Sequence, residues 1–511
     1  MRSFFFIFGK KMEFLDGLTL CVIVKRNTDK EIMTKKKELA PKAVKQIKNK
    51  TLKITWKNCF SSKRYGMQDS ENDIRTEYER DWDRIIFSSS FRRLQNKTQV
   101  FPLPEEVFVH NRLTHSLEVA SVGRSLGKII GKKISELDEI KTDDLVRPFY
   151  KNSLKNVVSS ACLAHDLGNP AFGHSGEEAI SKYFKKRDTK KTEDIVFKKQ
   201  FSKQQWKDLT TFEGNANALR ILTLQQKSRN KGGFRLTYST LGAILKYPCE
   251  SFVSDKKYLH RKKYGFFKID EAVFLEIAKE LNLVKDNDVK NGISYKRHPF
   301  VYLVEAADDI AYNIIDFEDA HRLGILTYET VRDSFLEIIK HNSKDDINWV
   351  TEQAKSLEED PNESIAYLRA KSINTLINKC ADVFWDNKEE ILKGNYNQSL
   401  LNSLPELKTV MGKIEQISIE KIYNAKKVVQ LEIAGFRIMS GLVEDFVTAA
   451  LTPEDKREKE QKKILELLPK QFSFDEEIGS YEKVMHIIDF IAGMTDLYAL
   501  KLYRKLRGIE L

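Results

Sequence analysis

Cysteine is scarce in this 511-residue chain: the five, Cys21, Cys59, Cys162, Cys249 and Cys380, are odd in number, scattered and never spaced as C-x-x-C. That excludes a disulfide framework and a zinc knuckle, and it fits a reducing cytoplasm. Long apolar runs are missing too. Phe4 to Phe8 and Leu18 to Val24 are too short to span a bilayer, and no small-residue cleavage pattern follows either, so neither a membrane segment nor a signal peptide is expected. No Gly-rich P-loop occurs, so any phosphate must be held by side chains rather than by a backbone cradle. Acidic residues fall short of basic ones, 74 against 86. The net charge of +12 admits anionic partners such as nucleotides or nucleic acid, and it reads equally well as solvated lysine faces.

What is present is a large folded body. With 41% hydrophobic and 31% charged residues the chain can bury a sizeable core, which excludes wholesale disorder. Lysines crowd Lys35 to Lys53, and only from about Ile54 does the sequence resemble the start of a folded unit; residues 1–53 read as an N-terminal extension, or as residues upstream of the true start.

The chemistry gathers around Ala161-Cys162-Leu163-Ala164-His165-Asp166-Leu167-Gly168-Asn169-Pro170. Val158, Cys162 and His165 share one helical face, and Asp166 follows before Gly168 and Pro170 end the helix, so a histidine and a carboxylate share a buried helix end. That pair suits a divalent cation but does not close a coordination sphere. An earlier segment puts His115 on a stripe with Val119, Val122, Leu126 and Ile129. Alone, such a histidine is more often a hydrogen-bonded core residue than a ligand. A later segment, HPFVYLVEAADDIAYNIIDFEDAHRLG, has an apolar stripe of Phe300, Val304, Ala307, Ala311 and Ile314, with Asp308, Tyr312 and Asp316 at i, i+4 and i+8 on a neighbouring face. Carboxylates in so apolar a helix are costly unless a positive charge meets them. Three helices thus offer His115, His165 with Asp166, and Asp308 as a metal set with positions left open.

Other segments carry weaker signals. Ser175 and Glu178 form a capping box, which places His174 at the turn before a helix and Glu177 in its first turn, where the pair can serve in proton transfer near a phosphate or do no more than cap. Arg92, Arg93, Lys97 and Gln99 end the amphipathic segment 77–100 and can hold a polyanion, or form a solvated helix end. Residues 185–207 read as a lysine-rich surface excursion. LTYSTLGAILKYP reads as a helix ending at Lys246-Tyr247-Pro248, and Lys262, Lys263 and Tyr264 lie in an unpatterned loop.

In combination, RDWDRIIFSSSFRRLQNKTQVFPL, NRLTHSLEVASVGRSLG, AHDLGNPAFGHSGEEAI, FEGNANALRIL, LKYP and EAADDIAYNIIDFEDA resemble the deoxyguanosinetriphosphate triphosphohydrolases among the HD-domain metal-dependent phosphohydrolases. The resemblance covers roughly Ile54 to the C-terminus. It implies an all-α HD fold with a catalytic core over 54–325 and a C-terminal helical region over 326–511 that completes the pocket and makes oligomer contacts. It implies hydrolysis of dGTP to deoxyguanosine and inorganic triphosphate with Mg²⁺ or Mn²⁺. Metal ligands carry over to His115, His165, Asp166 and Asp308, and proton handling to His174 and Glu177. Substrate contacts carry over to Gln99, Asn215, Lys246, Tyr247, Lys263, Tyr312, Asp316 and Arg437, the last in AGFRIMSGL. Hexameric assembly and a single-stranded DNA effector are also implied. The alternatives are an HD hydrolase of another nucleotide, including one acting on all deoxynucleoside triphosphates, and a nucleic-acid-binding protein whose HD site is only structural.

Overall fold

The computed structural model describes residues 54–67, 74–100, 110–224, 232–342 and 345–509. The chain divides into two units, Met1–Leu52 and Lys53–Leu511, and every described residue belongs to the second. The expected extension 1–53 lies outside the described residues. Among the described residues there are twenty α-helices and no strand, only isolated β-bridges, so the all-α expectation holds. Ten helices build the cores and the site: α1 (Glu77–Ile86), α2 (Arg112–Ser135), α3 (Leu154–Ala164), α4 (Gly173–Lys185), α5 (Gly214–Thr223), α6 (Tyr238–Ile244), α7 (Val301–Arg322), α8 (Pro361–Asp386), α9 (Lys426–Leu451) and α10 (Ser480–Ala492).

Helix α3 is the centre of the first core. All its residues from Val157 to Ala164 are buried, and α1, α2, α6 and α7 pack around it. Helix α2 starts sharply because the Asn111 side chain accepts from Leu113 N and Thr114 N, each at 3.0 Å. From there His115, Val119, Val122 and Leu126 turn inward and are buried, while Ile129 is half-buried and Ile130 takes the deeper place. The two helices approach closely at Gly127, where a Cβ would come within 2.8 Å of Lys155 Cα. Burying each large aliphatic side chain here contributes about 1.5–3 kcal/mol, and Leu163→Ala would cost about 2–5 kcal/mol. Helix α7 lies against α2, and α8 covers both. A second core forms where α4 packs on α9 and α9 on α10, around Phe184, Met439, Phe446, Met485 and Ile488. Both cores straddle residue 325, since the first runs to Val428 and the second takes in residues from Ala171 onward.

Several local expectations need correction. Helix α3 ends at Ala164 with His165 as its cap residue, so His165 and Asp166 stand on the turn that follows. The Ser175/Glu178 capping box does not start α4. That helix begins at Gly173 behind a left-handed Phe172 and has no side-chain cap, which puts His174 inside the first turn. The segment 77–100 is not one helix: it breaks at Phe87-Ser88 and restarts with Ser88 as a new N-cap. The 185–207 excursion contains one short helix, Thr192–Lys198, and most of a second, Lys203–Thr210, pinned by buried Phe201 and Trp206. Helix α6 ends at Ile244, ahead of Lys246-Tyr247-Pro248. Lys97 is buried and donates to the Asn169 and Ala492 carbonyls at 2.5 and 3.0 Å, so it holds chain rather than a polyanion.

Candidate metal centre and active site

Three elements bring a candidate cation site together. His115 is in the first turns of α2, His165 caps α3, and Asp308 is carried by α7. Their ligand atoms all lie within 4.8 Å of one another. Asp308 Oδ1 is 3.3 Å from His115 Nε2 and 3.4 Å from His165 Nε2. His165 Nδ1 lies 2.6 Å from the Cys162 carbonyl, which fixes the proton on Nδ1 and turns Nε2 toward Asp308. Burial opposes protonation of His165, but the carboxylates of Asp166 and Asp308 prevail and raise it to about 9. Burial would push the Asp308 carboxyl up; instead His165, His115 and Lys246 hold it well below the usual carboxylate range. Its neighbour Asp309 is pushed up to about 7 by burial, with Glu305 and Asp308 adding to it against Lys246. A field that keeps a proton on a buried imidazole favours a divalent cation at the same place, and two imidazoles with a carboxylate are a suitable donor set.

Asp166 falls outside that three-residue group. Its Oδ1 is 3.6 Å from His165 Nε2 and accepts from Asn169 Nδ2 at 2.5 Å, while Oδ2 accepts from Arg112 Nη1 at 2.8 Å. Opposed by burial, Arg112 and the two histidines still lower the Asp166 carboxyl. It is thus an ionised carboxylate on the rim of the cluster, already oriented by two donors.

A cavity of about 550 Å³ opens beside this cluster and is lined by His165, Asp166, Asp308 and most of the expected substrate residues. Gln99, Asn215, Lys246, Tyr247, Lys263 and Tyr312 all stand on its wall, as do His174 and Glu177. His115 lies behind the wall, Asp316 is buried beneath Tyr312, and Arg437 is exposed and does not line the cavity of its own chain. His174 has an 87% exposed side chain whose Nδ1 donates to Glu177 Oε2 at 2.8 Å. The hydrogen bond to Glu177 raises its pKa, with burial, Lys263 and Arg112 opposing. Glu177 is buried, and its Oε1 accepts from Gly214 N at 2.7 Å at the start of α5. Burial works to raise its carboxyl, yet His174, Lys263 and that N–H lower it.

The cations of the cavity are held in place. Lys246 Nζ is 3.5 Å from Glu305, which Arg297 also grips with two hydrogen bonds of 2.6 and 3.2 Å. Lys263 Nζ donates to Glu213 at 3.0 Å, and Glu213 also accepts from the Asn215 side chain at 2.7 Å. Tyr312 stacks on Tyr423 with ring centroids 5.9 Å apart, and Tyr423 Oη donates to Asp316 Oδ2 at 3.1 Å. Three buried polar atoms of residues lining the cavity, Thr98 Oγ1, Gln99 Oε1 and Arg112 Nε, have no hydrogen-bond partner. Sequence reasoning missed Arg112, Glu213, Glu305 and Tyr423. Arg112 had a signal, since it precedes His115 by one turn and faces the same side. Tyr423 had none, because it reaches Asp316 from 107 residues away.

Residues 112–219 match the HD domain model, which spans His115, His165, Asp166, His174 and Glu177, and residues 401–505 match a phosphohydrolase-associated domain. The fold and site therefore define a helical HD-domain phosphohydrolase. A deoxyguanosinetriphosphate triphosphohydrolase-like protein of Synechocystis sp. is 37% identical over 90% of this chain and 100% of its own length. A protein of the same description from Listeria innocua is 35% identical over 89% of this chain and all of its own length. The deoxyguanosinetriphosphate triphosphohydrolase of Salmonella enteritidis is 31% identical over 90% of this chain and 98% of its own. The chain belongs to the deoxyguanosinetriphosphate triphosphohydrolase family. No helix among the described residues is long and apolar enough to cross a membrane.

Proposed function

We propose that the chain hydrolyses dGTP to deoxyguanosine and inorganic triphosphate in this cavity, with Mg²⁺ or Mn²⁺ held by His115, His165, Asp166 and Asp308. The observation that carries the reading is a single cavity with the cation cluster on one wall and a hydrogen-bonded His174–Glu177 pair facing into it. The names of the relatives from Synechocystis and Salmonella support dGTP as substrate.

A divalent cation held there would make a water nucleophilic at neutral pH and would offset charge on the attacked phosphoryl group. The chain does the rest. Arg112, Lys246 and Lys263 line the cavity as the cations for the remaining phosphate charge, the role a P-loop fills elsewhere. Arg112 Nε, buried and unpartnered, is a donor ready for a phosphate oxygen. Glu177 holds the proton of His174 on Nδ1 and raises its pKa, so the imidazole can give a proton from Nε2 to the leaving 5′ oxygen. Asn215 and Tyr247 stand on the same wall and complete the substrate contacts.

Sugar selection falls to Gln99, Tyr312 and Asp316. Tyr312, backed by Tyr423, packs against C2′ and leaves no room for a hydroxyl. Gln99 Oε1, a buried acceptor without a donor, is satisfied by the 3′-hydroxyl. Asp316 accepts from Tyr423 at Oδ2, and the 3′-hydroxyl competes for the same carboxylate. In this reading 54–325 is the catalytic core, and 326–511 completes the pocket through Tyr423 and Val428. The protein works in a reducing cytoplasm, where its four described cysteines stay free and buried. It assembles as a hexamer and binds single-stranded DNA outside the cavity; Arg437, exposed on α9, is the remaining substrate contact that the resemblance implies. A panel of deoxynucleoside and nucleoside triphosphates, each with Mg²⁺, with Mn²⁺ and with a chelator, tests the reading. dGTP should be hydrolysed fastest and only with metal; equal use of all four deoxynucleotides would broaden the activity, and no turnover of any would refute it.

A further inference from the structure

Phe172 is the strained point beside the site. Its φ of 59° is left-handed, a conformation that a bulky residue keeps only where its surroundings hold it. Its neighbour Gly173, at φ 56°, is also left-handed, and His174 comes next. Two contacts hold Phe172. Its ring lies against Gly435 of α9, where a Cβ would come within 2.6 Å of Phe172 Cβ. Its N–H donates to Asp496 Oδ1 at 2.9 Å.

The other oxygen of Asp496 is engaged in the same way by a second segment of the cavity wall. Oδ2 accepts from Thr98 N at 2.9 Å, and the next residue is Gln99. Asp496 is 4% exposed and is the first residue of the helix Asp496–Leu506, so its position is set by the C-terminal end of the chain. Buried Lys97 reinforces the junction by donating to Asn169 O on one side and to Ala492 O, at the end of α10, on the other. Neither Asp496 nor Lys97 lines the cavity.

We propose that Asp496 is a positioning residue for the reaction: a single carboxylate from the C-terminal helix sets His174 through Phe172 and Gln99 through Thr98. The inference rests on the reading of the cavity as a dGTP-hydrolysing site. Both carboxylate oxygens are needed, because each accepts a different backbone N–H. Asparagine has the same size but only one acceptor, and its NH₂ would face the second N–H as donor against donor.

The experiment is Asp496→Asn in the full chain, measured in two ways. Turnover of dGTP with Mn²⁺ should show kcat at least about tenfold lower and KM raised, with Mn²⁺ affinity unchanged. In a His174→Ala background the kcat loss should largely vanish while the KM rise remains, because the kcat effect runs through His174. Amide hydrogen exchange should quicken in peptides covering Thr98 to Val100 and Phe172 to Ser175 and stay unchanged in α2 and α3. If Asp496→Asn does not fold, Asp496→Glu keeps charge and both acceptors but displaces them by one methylene, and it should give the same pattern in weaker form. Wild-type kinetics and exchange, or faster exchange throughout α9 and α10 with an additive kcat loss, would overturn the proposal. A wild-type protein that does not turn over dGTP would refute the substrate reading instead, and the exchange measurement would still decide the role of Asp496.

Discussion

Glu177→Gln keeps the side chain's size and removes its charge, so it isolates what the carboxylate does for His174. Oε2 accepts from His174 Nδ1 at 2.8 Å and Oε1 from Gly214 N at 2.7 Å. A glutamine can accept only one of the two, and the other donor then faces an NH₂ group. A hydrogen bond to a charged group is worth about 1.5–3 kcal/mol net. Because the His174 side chain is 87% exposed, solvent screening cuts that to about 0.5–1 kcal/mol. At about 1.4 kcal/mol per factor of ten, kcat should fall roughly two- to fivefold. His174→Ala removes the positioned acid altogether and should cost about 10²-fold or more. The two variants therefore rank in a fixed order. The pH dependence has a definite sign. The bond to Glu177 is the largest influence raising His174, so the wild-type imidazole keeps its proton to higher pH than a free histidine. A group that must be protonated loses activity as pH rises through its pKa, so Glu177→Gln should move the alkaline limb of kcat to lower pH. The assay is kcat at saturating dGTP and metal from about pH 6 to about pH 10. An unchanged alkaline limb with unchanged kcat would refute the reasoning, as would loss of metal in proportion to activity.

His165→Ala and Asp308→Asn should lower metal occupancy and turnover together while helical content persists, and elemental analysis showing full metal with normal turnover would contradict the site. Asp166→Ala should also cut turnover, but with a smaller loss of metal, since Asp166 stands on the rim and is tied to Arg112. Tyr312→Ala should relax discrimination against GTP, and Asp316→Ala should narrow the preference for dGTP over its 2′,3′-dideoxy analogue; equal kcat/KM for GTP and dGTP in the wild type would remove the sugar pocket as described. Single-stranded DNA should bind with an affinity that falls steeply as salt rises, because each phosphate contact releases counterions; absence of binding at low ionic strength would contradict that claim.

The clustering of His115, His165 and Asp308 was legible because helical periodicity leaves a record in the sequence. His115 sits on an apolar stripe, and Asp308 is a carboxylate in a helix too apolar to carry one without a partner. The start of α4 was not legible. Ser175 and Glu178 have the right spacing for a box, but the helix begins at Gly173 because Phe172 takes a left-handed turn held by Asp496, 324 residues away. The lysine-rich segment 185–207 hides one helix and most of a second because its anchors, Phe201 and Trp206, are few among many charges. Lys97 looked like an anion binder on composition. Its burial against the Asn169 and Ala492 carbonyls depends on a packing that no local pattern encodes. Tyr423 and Arg112 join the site through contacts between segments, and only Arg112 left a trace in its spacing from His115.

The central claim is that water attacks the α-phosphorus beside the His115, His165 and Asp308 cluster while His174 protonates the 5′ oxygen. Turnover of dGTP in ¹⁸O-labelled water, with both products analysed by mass spectrometry, tests it most directly. The account predicts inorganic triphosphate carrying one labelled oxygen and deoxyguanosine carrying none. Label in deoxyguanosine, or dGMP with pyrophosphate in place of triphosphate, would contradict it.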